Sequence, residues 1–375
     1  MGSVGREIEA AAARMFCVGF DGPAVPDHVP ELLRRGVSGA VLFRRNVEGS
    51  TEQIAGLCRD LKTRAGRPFL ICIDQEGGRV QRLREPFTNI PSMRALGRTG
   101  DEALARELGR VLARELRAVN IDMDLAPVLD IDTNPANPVI ADRSLGSTPE
   151  LVTRLGLALI DGLQCEGVAA CAKHFPGHGD TAQDSHHDLP RLPHAMQRLE
   201  SVELVPFAAA ARAGVASIMT AHVVFDPLDR EFPVTMSPAV LTGILRDRLG
   251  FDGVIISDDL EMKAIAAHFD IAEVVTRGTN AGVDLFTIGH DSAVQNRAID
   301  ALIRAVESGR VSRDRLAESA LRLNRLCHGF LRPPLERVPP GVIGSPEHKA
   351  IVDRIASAAP GDAATGRDPT EFRPA

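Results

Sequence analysis

Residues 168–188, VAACAKHFPGHGDTAQDSHHD, carry the strongest signal of the fold. The first part, 168–174, is short and mostly small and apolar, which is typical of a strand buried within a parallel sheet. A loop rich in glycine, histidine and aspartate follows at once. In folds built from repeated β/α units, polar loops at the carboxyl ends of buried strands form the functional site. This stretch therefore predicts a parallel sheet with a site at one end.

Seven more short apolar segments rich in β-branched residues lie before and after it, separated by helical patterns. The clearest helices are predicted at 102–118 and 150–163, where apolar residues recur at the helical period. Eight β/α units within about 330 residues predict a (β/α)8 TIM-type barrel. A doubly wound open sheet is the alternative, but no GxGxxG, GxxxxGKS or GxxxxGKT sequence follows the first strand. The strands are predicted at 15–20, 39–43, 69–74, 122–129, 168–174, 217–222, 253–258 and 283–288.

We predict that residues 1–330 form this α/β barrel as a single catalytic domain, followed by a short C-terminal extension. Proline and glycine become frequent after Phe330, so residues 331–358 are predicted to be a linker plus a packed helix. Ser345 is the expected N-cap of that helix and Pro346 its first residue. Residues 359–375 are rich in proline, glycine and aspartate, and we expect a disordered tail there.

The composition limits the partners. The chain has 43 Lys plus Arg against 50 Asp plus Glu, a net charge of −7, so nucleic acid is not an expected partner. It has 14 Phe but no Trp and no Tyr, which excludes the flat Trp platforms that often line long polysaccharide grooves. Any sugar site is therefore expected to be small and polar.

The N-terminal segment does not resemble a signal peptide, because Glu7, Glu9 and Arg14 interrupt its apolar residues. No run approaches the roughly 18 apolar residues of a membrane span. The six cysteines show no CxxC spacing and are expected to be reduced. We therefore expect a cytoplasmic monomer that makes no contact with membranes and carries neither a cofactor nor a metal ion.

The loop after the fifth predicted strand contains the most concentrated chemistry. Residues 173–188 include four histidines, three aspartates and one lysine. Lys173 and His174 end the strand and should be held rigidly, whereas the glycines that follow leave the loop able to move. Asp184 stands two residues before His186, near enough to orient its ring and raise its basicity. On its own, such a triplet is more often part of a surface turn. Its position in a polar loop after a buried strand is what makes it a catalytic candidate.

A second candidate is GVIISDDLEM, residues 253–262, where an apolar strand ends in carboxylates. Because side chains alternate along a strand, Asp258 and Asp259 cannot both point into the barrel. An inward carboxylate at this position could attack an electrophilic carbon. The alternative is a strand that simply ends in solvated acids before a helix, whose N-terminus favours such residues.

A third candidate is IDQEGGRVQR, residues 73–82. Asp74 could accept hydrogen bonds from two neighbouring hydroxyls of a polyol while Arg82 donates. A structural ion pair is the alternative for these two side chains. Arg143, in the loop after the fourth strand, and His222, at the end of the sixth, are weaker candidates on their own.

Five motifs in this order resemble the β-N-acetylhexosaminidases of glycoside hydrolase family 3, the single-domain type of peptidoglycan recycling. The resemblance runs from about Met15 to Phe330. In two-domain members, a segment similar to residues 344–359 leads into a second α/β domain. His187 and the absence of Tyr and Trp depart from the family pattern. The motifs are IDQEGGRVQR, NPVIADRSLG, KHFPGHGDTAQDSH, IMTAH and GVIISDDLEM.

The resemblance implies release of terminal β-linked N-acetylglucosamine, with retention, from muropeptides or similar small saccharides. Asp258 would be the nucleophile, and His186, paired with Asp184, the general acid and base. A histidine in this role departs from the usual pair of carboxylates, but its ordinary pKa near 6.5 suits a group that must do both. The implied sugar-binding residues are Asp74, Arg82, Arg143, Lys173 and His174, to which we add His222.

Several alternatives stay open. A β-glucosidase or an N-acetylglucosaminide phosphorylase of the same family would keep the nucleophile and change the sugar or the acceptor. A metal-dependent barrel hydrolase could use Lys173, His174, His178 and His222, but the first strand offers no histidine to such a site. A protein that only binds sugar would be expected to lack Asp258 or His186, and both are present.

Overall fold

The computed structural model describes residues 3–181, 189–359 and 368–370. Eight parallel strands form a closed barrel in which each strand is hydrogen-bonded to the strands before and after it, and β8 returns to β1. This confirms the predicted (β/α)8 barrel. The strands are β1 (Phe16–Val18), β2 (Gly39–Leu42), β3 (Leu70–Ile73), β4 (Met123–Asp124), β5 (Ala169–Phe175), β6 (Ser217–Thr220), β7 (Val254–Asp259) and β8 (Leu285–Ile288).

The fourth strand is much shorter than the predicted 122–129. The amide of Leu125 still donates to the carbonyl of Ile73 on β3, at 2.8 Å. The next amide on that side would belong to Pro127, which has no hydrogen to donate. Val128 then forms an isolated bridge to Lys173 on β5. The chain therefore keeps its contact with β5 after it has left β3.

The helices surround the barrel. Helix 102–118 is confirmed at both ends, and Asp101 caps it by accepting a hydrogen bond from the amide of Leu104. The helix predicted at 150–163 is one residue longer at its start and two at its end. The helices are α1 (Ser3–Ala13), α2 (Val29–Arg35), α3 (Thr51–Ala65), α4 (Met93–Thr99), α5 (Glu102–Ala118), α6 (Pro149–Cys165), α7 (Met196–Ser201), α8 (Leu204–Arg212), α9 (Pro238–Val240), α10 (Lys263–Ala266), α11 (Ile271–Ala281), α12 (Ser292–Glu307), α13 (Arg313–Phe330) and α14 (Pro346–Ala358).

Shorter elements complete the fold. The segment Leu241–Arg248 continues α9 as a π-helix. Two-stranded ribbons pair Gln75–Gly77 with Val80–Gln81 and Arg191–Leu192 with Val224–Phe225. Single 3₁₀ turns are formed by Arg44–Asn46, Ala141–Arg143 and Val234–Met236.

Apolar side chains fill the space between strands and helices and the amino-terminal part of the barrel interior. Along β3, β5 and β7 the interior residues alternate with outward ones, as the two-residue period of a strand requires. Leu70 and Cys72, Ala169 and Cys171, and Val254 and Ile256 belong to one buried cluster. The six cysteines are free thiols.

The segment after the barrel packs back onto it. α14 begins at Pro346, and Ser345 is its N-cap, accepting a hydrogen bond from the amide of His348. The ring of His348 pairs with the carboxylate of Glu115 on α5, with Nδ1 and Oε1 2.9 Å apart. Of residues 360–375, the structure describes Asp368–Thr370. Among the helices of the described ranges, none combines the length and apolar character that crossing a membrane requires.

Candidate active site

Charged side chains continue the apolar interior of the barrel at its carboxyl end. Asp74, Lys173 and Asp258 each lie two residues beyond the last apolar interior residue of β3, β5 and β7. The side chains of Asp74 and Lys173 meet at 2.7 Å, so both lie in the barrel interior. The pairing of β7 shifts register between Ile256 and Asp259, and Asp258 lies there close enough for its charge to act on His222. In this fold, catalysis is built at the end of the barrel where they lie.

A buried ionic network connects the predicted sugar-binding residues. The ammonium of Lys173 donates to Asp74 and to Glu76, at 2.7 Å in both cases. Arg143 holds Glu76 with two bonds, Nε to Oε2 at 2.8 Å and Nη2 to Oε1 at 2.7 Å. Arg82 donates from Nη2 to the other oxygen of Asp74, at 3.2 Å. The structure thus brings Asp74, Arg82, Arg143 and Lys173 together, with Lys173 joining Asp74 to Glu76.

These groups remain charged although they are buried. Burial alone would raise the pKa of Asp74, but the charges of Lys173 and Arg82 outweigh it and lower that pKa. Burial acts on Glu76 in the same way, and Arg143 and Lys173 hold its pKa well below the usual range. Burial would lower the pKa of Lys173, but the two carboxylates raise it. The network therefore offers fixed donors and acceptors to a polar ligand.

A tight turn builds part of this network. Glu76 lies in the ribbon directly after β3, and its side chain is 1% exposed. Gly77 has a φ of 105°, and a Cβ there would stand 2.7 Å from the carbonyl oxygen of Pro91. Glycine is therefore required, and the turn returns Arg82 to Asp74. Sequence reasoning missed Glu76; its place inside the DQEGG motif was the available signal.

A second carboxylate, also missed, orients His174. Asp130 lies 2.7 Å from Nδ1 of this ring and also accepts the backbone amides of His174 and His178. Burial would raise the pKa of Asp130, but the neighbouring histidine charge lowers it. Burial, together with the charge of His174, lowers the pKa of His178 to about 4. His178 is therefore neutral near pH 7, with Nδ1 2.8 Å from the hydroxyl of Thr181.

His222 borders the end of β7. Its Nδ1 lies 2.8 Å from the hydroxyl of Thr235, and its Nε2 lies 3.1 Å from the carbonyl oxygen of Asp259. Burial lowers the pKa of this ring, and the negative charge of Asp258 opposes that shift. The structure therefore brings His222 and Asp258 together.

Asp258 and Asp259 have different hydrogen-bond partners, and Asp258 accepts the backbone amide of Asp259 at 2.8 Å. The carboxylate of Asp259 accepts the backbone amides of Glu261 at 3.0 Å and of Gly289 at 3.1 Å. Burial raises the pKa of Asp259 to about 8, and the charge of Glu261 adds to the effect. Asp259 is thus mostly neutral at pH 7, and its carboxyl group holds backbone amides after β7 and β8.

Asp184 and His186 lie outside the described residues, so their roles stay predictions.

Within the described ranges, one group of side chains has the spacing of a metal site. It consists of Asp259, Glu261 and His290, whose nearest ligand atoms lie within 4.8 Å of one another. The two carboxylates already accept backbone amides, Glu261 from His290 and Asp291. These hydrogen bonds explain why the three side chains lie close together: the two carboxylates hold the loop after β8.

Comparisons with known proteins identify the family of this chain. Residues 13–326 match the model of the glycosyl hydrolase family 3 N-terminal domain. A β-hexosaminidase of Thiobacillus denitrificans is 44% identical over 255 residues, which are 66% of this chain and 70% of that protein. A family 3 β-N-acetylglucosaminidase of a Paenibacillus species superimposes with a TM-score of 0.91 at 42% identity, covering 94% of this chain and 68% of that one.

A smaller relative has a similar extent. NagZ of Neisseria gonorrhoeae superimposes with a TM-score of 0.78 at 34% identity, and the match covers 92% of this chain and 97% of that one. The family model extends over most of the chain and contains all eight barrel strands. The chain belongs to glycosyl hydrolase family 3.

Proposed function

We propose that this protein is a retaining β-N-acetylhexosaminidase that releases terminal β-linked N-acetylglucosamine from small saccharides such as muropeptide fragments. The observation that carries the proposal is Asp258 near the carboxyl end of β7, where its charge acts on His222, at the same end of the barrel as a buried network of fixed donors and acceptors. The relatives named β-hexosaminidase and β-N-acetylglucosaminidase support the choice of sugar.

The network is suited to the hydroxyls of one sugar ring. Carboxylates accept from hydroxyls, and guanidinium and ammonium groups donate to them. Asp74, Arg82, Arg143 and Lys173 offer both kinds of group within one buried cluster, and His174, oriented by Asp130, adds a ring. A pocket of this kind orients a terminal sugar by polar contacts, and needs no aromatic platform.

The chemistry proceeds in two steps. In the first, a carboxylate oxygen of Asp258 attacks the anomeric carbon while His186 gives its proton to the departing glycosidic oxygen. This breaks the glycosidic bond and leaves the sugar as an ester of Asp258. In the second, His186, now neutral, takes a proton from water, and the resulting hydroxide equivalent attacks the same carbon and releases Asp258. Two inversions give net retention, and Asp184 orients the imidazole throughout.

The test measures aryl leaving-group release from the para-nitrophenyl β-N-acetylglucosaminide and β-glucoside in parallel. Wild type and Asp258→Ala are assayed with EDTA, and with and without inorganic phosphate. Asp252→Ala is the matched control, because Asp252 lies just before the same strand at the opposite end of the barrel, with 64% of its side chain exposed. We expect turnover of the N-acetyl sugar that Asp258→Ala abolishes and Asp252→Ala retains.

Each other result has a definite meaning. Preference for the glucoside would keep the nucleophile and contradict the substrate. Formation of sugar 1-phosphate would make the protein a phosphorylase. Loss of activity with EDTA would point to the metal-dependent alternative, and full activity of Asp258→Ala would contradict the nucleophile.

A further inference from the structure

The C-terminal segment Asp368–Thr370 contacts the buried network. Asp368 forms an ion pair with Nη1 of Arg82 across 286 residues of chain, and its side chain is 11% exposed. The hydroxyl of Thr370 accepts from Nη2 of Arg82 at 2.5 Å and donates to Asp368 at 2.7 Å. The backbone amide of Thr370 also donates to Asp368, at 2.8 Å. Two side chains of this segment therefore bind the guanidinium of Arg82.

The contact balances charge. Among the described residues joined by this network, Arg82, Arg143 and Lys173 are cations, and Asp74 and Glu76 are anions. One buried positive charge is left over without the C-terminal segment. A buried charge without a partner is costly. Asp368 supplies the missing negative charge, at the guanidinium whose side chain is 1% exposed.

This balance indicates how the segment relates to a bound sugar. N-acetylglucosamine is neutral, so a sugar that displaced Asp368 would remove one of the two carboxylates paired with Arg82 and leave Asp74, which Lys173 shares. The pair also leaves a donor available, since Nε of Arg82 is buried and has no hydrogen-bond partner among the described residues. Nε is therefore the donor of Arg82 that stays unengaged while Asp368 is in place.

We infer that Asp368 is a positioning residue of the sugar site, which holds Arg82 in its sugar-binding orientation and makes the C-terminal segment part of the active site. The inference rests on the proposed function. It adds to the sugar site a residue from a segment outside the barrel domain. Thr370 fixes the orientation of both partners.

The test is a double-mutant cycle in the full-length chain. KM and kcat for the aryl β-N-acetylglucosaminide are measured for wild type, Asp368→Ala, Arg82→Ala and the double variant, with Asp252→Ala as the control for an exposed ion pair. We expect Asp368→Ala to raise KM about tenfold with kcat within about twofold of wild type. In the Arg82→Ala background the same change should alter KM by less than about twofold, because Asp368 acts through Arg82. Asp368→Glu, which keeps the charge, should restore part of the loss.

Three outcomes would overturn the inference. An unchanged KM in Asp368→Ala would mean that the segment does not support the site, and a lower KM would mean that it competes with the sugar. Equal effects of Asp368→Ala in both backgrounds would mean that it acts independently of Arg82. The cycle is repeated on the binding of free N-acetylglucosamine by calorimetry, which needs no turnover. Sugar binding without turnover would contradict the proposed function, and the binding cycle would still decide the role of Asp368.

Discussion

The two ends of the barrel hold buried charges for different purposes. At the amino end, Asp284 precedes β8 and accepts from Arg315 at 2.9 Å, from Ser319 at 2.8 Å and from the amide of Ile255 at 3.0 Å, and it also pairs with Arg246. At the carboxyl end, several carboxylates and cations share one network, which a segment from the C-terminus completes.

The difference lies in where the donors come from. Arg315 and Ser319 belong to α13, so Asp284 joins that helix to the strands, and both of its oxygens are engaged by the protein. At the carboxyl end, Nε of Arg82 and Oδ2 of Asp124 are buried without a hydrogen-bond partner among the described residues. At the amino end, Nη1 of Arg315 also has no hydrogen-bond partner among the described residues, but it lies 3.6 Å from the carboxylate of Glu318. The ion pairs at the amino end thus join a helix to the strands, and we expect the unpartnered atoms at the carboxyl end to serve a ligand.

The largest expected effect is on catalysis at the carboxyl end. Asp258→Ala should lower kcat by about four orders of magnitude or more, because no other group can form the covalent intermediate. Its free energy of unfolding, measured by urea titration, should stay close to that of wild type. A large loss of stability with retained turnover would show that Asp258 supports the fold and not catalysis, which would contradict the difference between the two ends of the barrel.

The amino end should show the opposite pattern. Asp284→Ala leaves Arg246 and Arg315 without their shared buried partner, and we expect a loss of about 3–5 kcal/mol in the free energy of unfolding. KM and kcat of the folded protein should be unchanged at a temperature where it remains native. A change in KM without a change in stability would contradict the structural role.

The carboxyl end should also respond to acid through His178. Its pKa is about 4 in the folded protein, below its ordinary value of 6.5, because burial disfavours the charged ring. The stability that depends on neutral His178 is therefore complete above pH 6.5 and is lost as the pH falls toward 4. The maximum contribution is about 3 kcal/mol. Urea titrations of wild type and His178→Gln between pH 7 and 4 measure it, and parallel curves would show that His178 does not contribute.

The smallest effect is expected beside the nucleophile. Asp259→Asn should change kcat by less than about threefold at pH 7, since burial already keeps this carboxyl mostly neutral. An amide oxygen can accept the same backbone hydrogens from Glu261 and Gly289. Because burial raises the pKa of Asp259 from 3.8 to about 8, wild type should lose stability as the pH rises between these two values, and Asp259→Asn should not show that loss. A loss of activity comparable with that of Asp258→Ala would show that the two aspartates are not distinct.

Hydrophobic patterning was sufficient for the barrel and for the placement of Asp74 and Lys173 in its interior. Asp74 directly follows β3, and Lys173 lies near the carboxyl end of β5, two residues after a buried interior residue. The predicted length of β4 was wrong. Pro127 ends the pairing with β3 but not the contact with β5, and the sequence does not show which neighbouring strand the missing amide of Pro127 would face.

Glu76, Asp130 and Asp368 could not be predicted in the same way. Glu76 lies in a ribbon and Asp130 in a loop, and their partners are set by turns and by distant parts of the chain rather than by a local period. Asp368 lies in a segment whose composition is typical of disorder, and its partner is Arg82, far away in the sequence. The roles of Asp184 and His186 remain sequence predictions.

The central claim is that the sugar is transferred to Asp258 during the reaction. The direct measurement is mass spectrometry of the protein after incubation with a 5-fluoro-N-acetylglucosaminyl donor that has a good leaving group. The fluorine destabilises the oxocarbenium-like transition states, so that the glycosyl-enzyme accumulates. Peptide mapping should place the added sugar on Asp258, and Asp258→Ala should carry none. An adduct on another residue, or complete turnover of the donor without any adduct, would contradict the account.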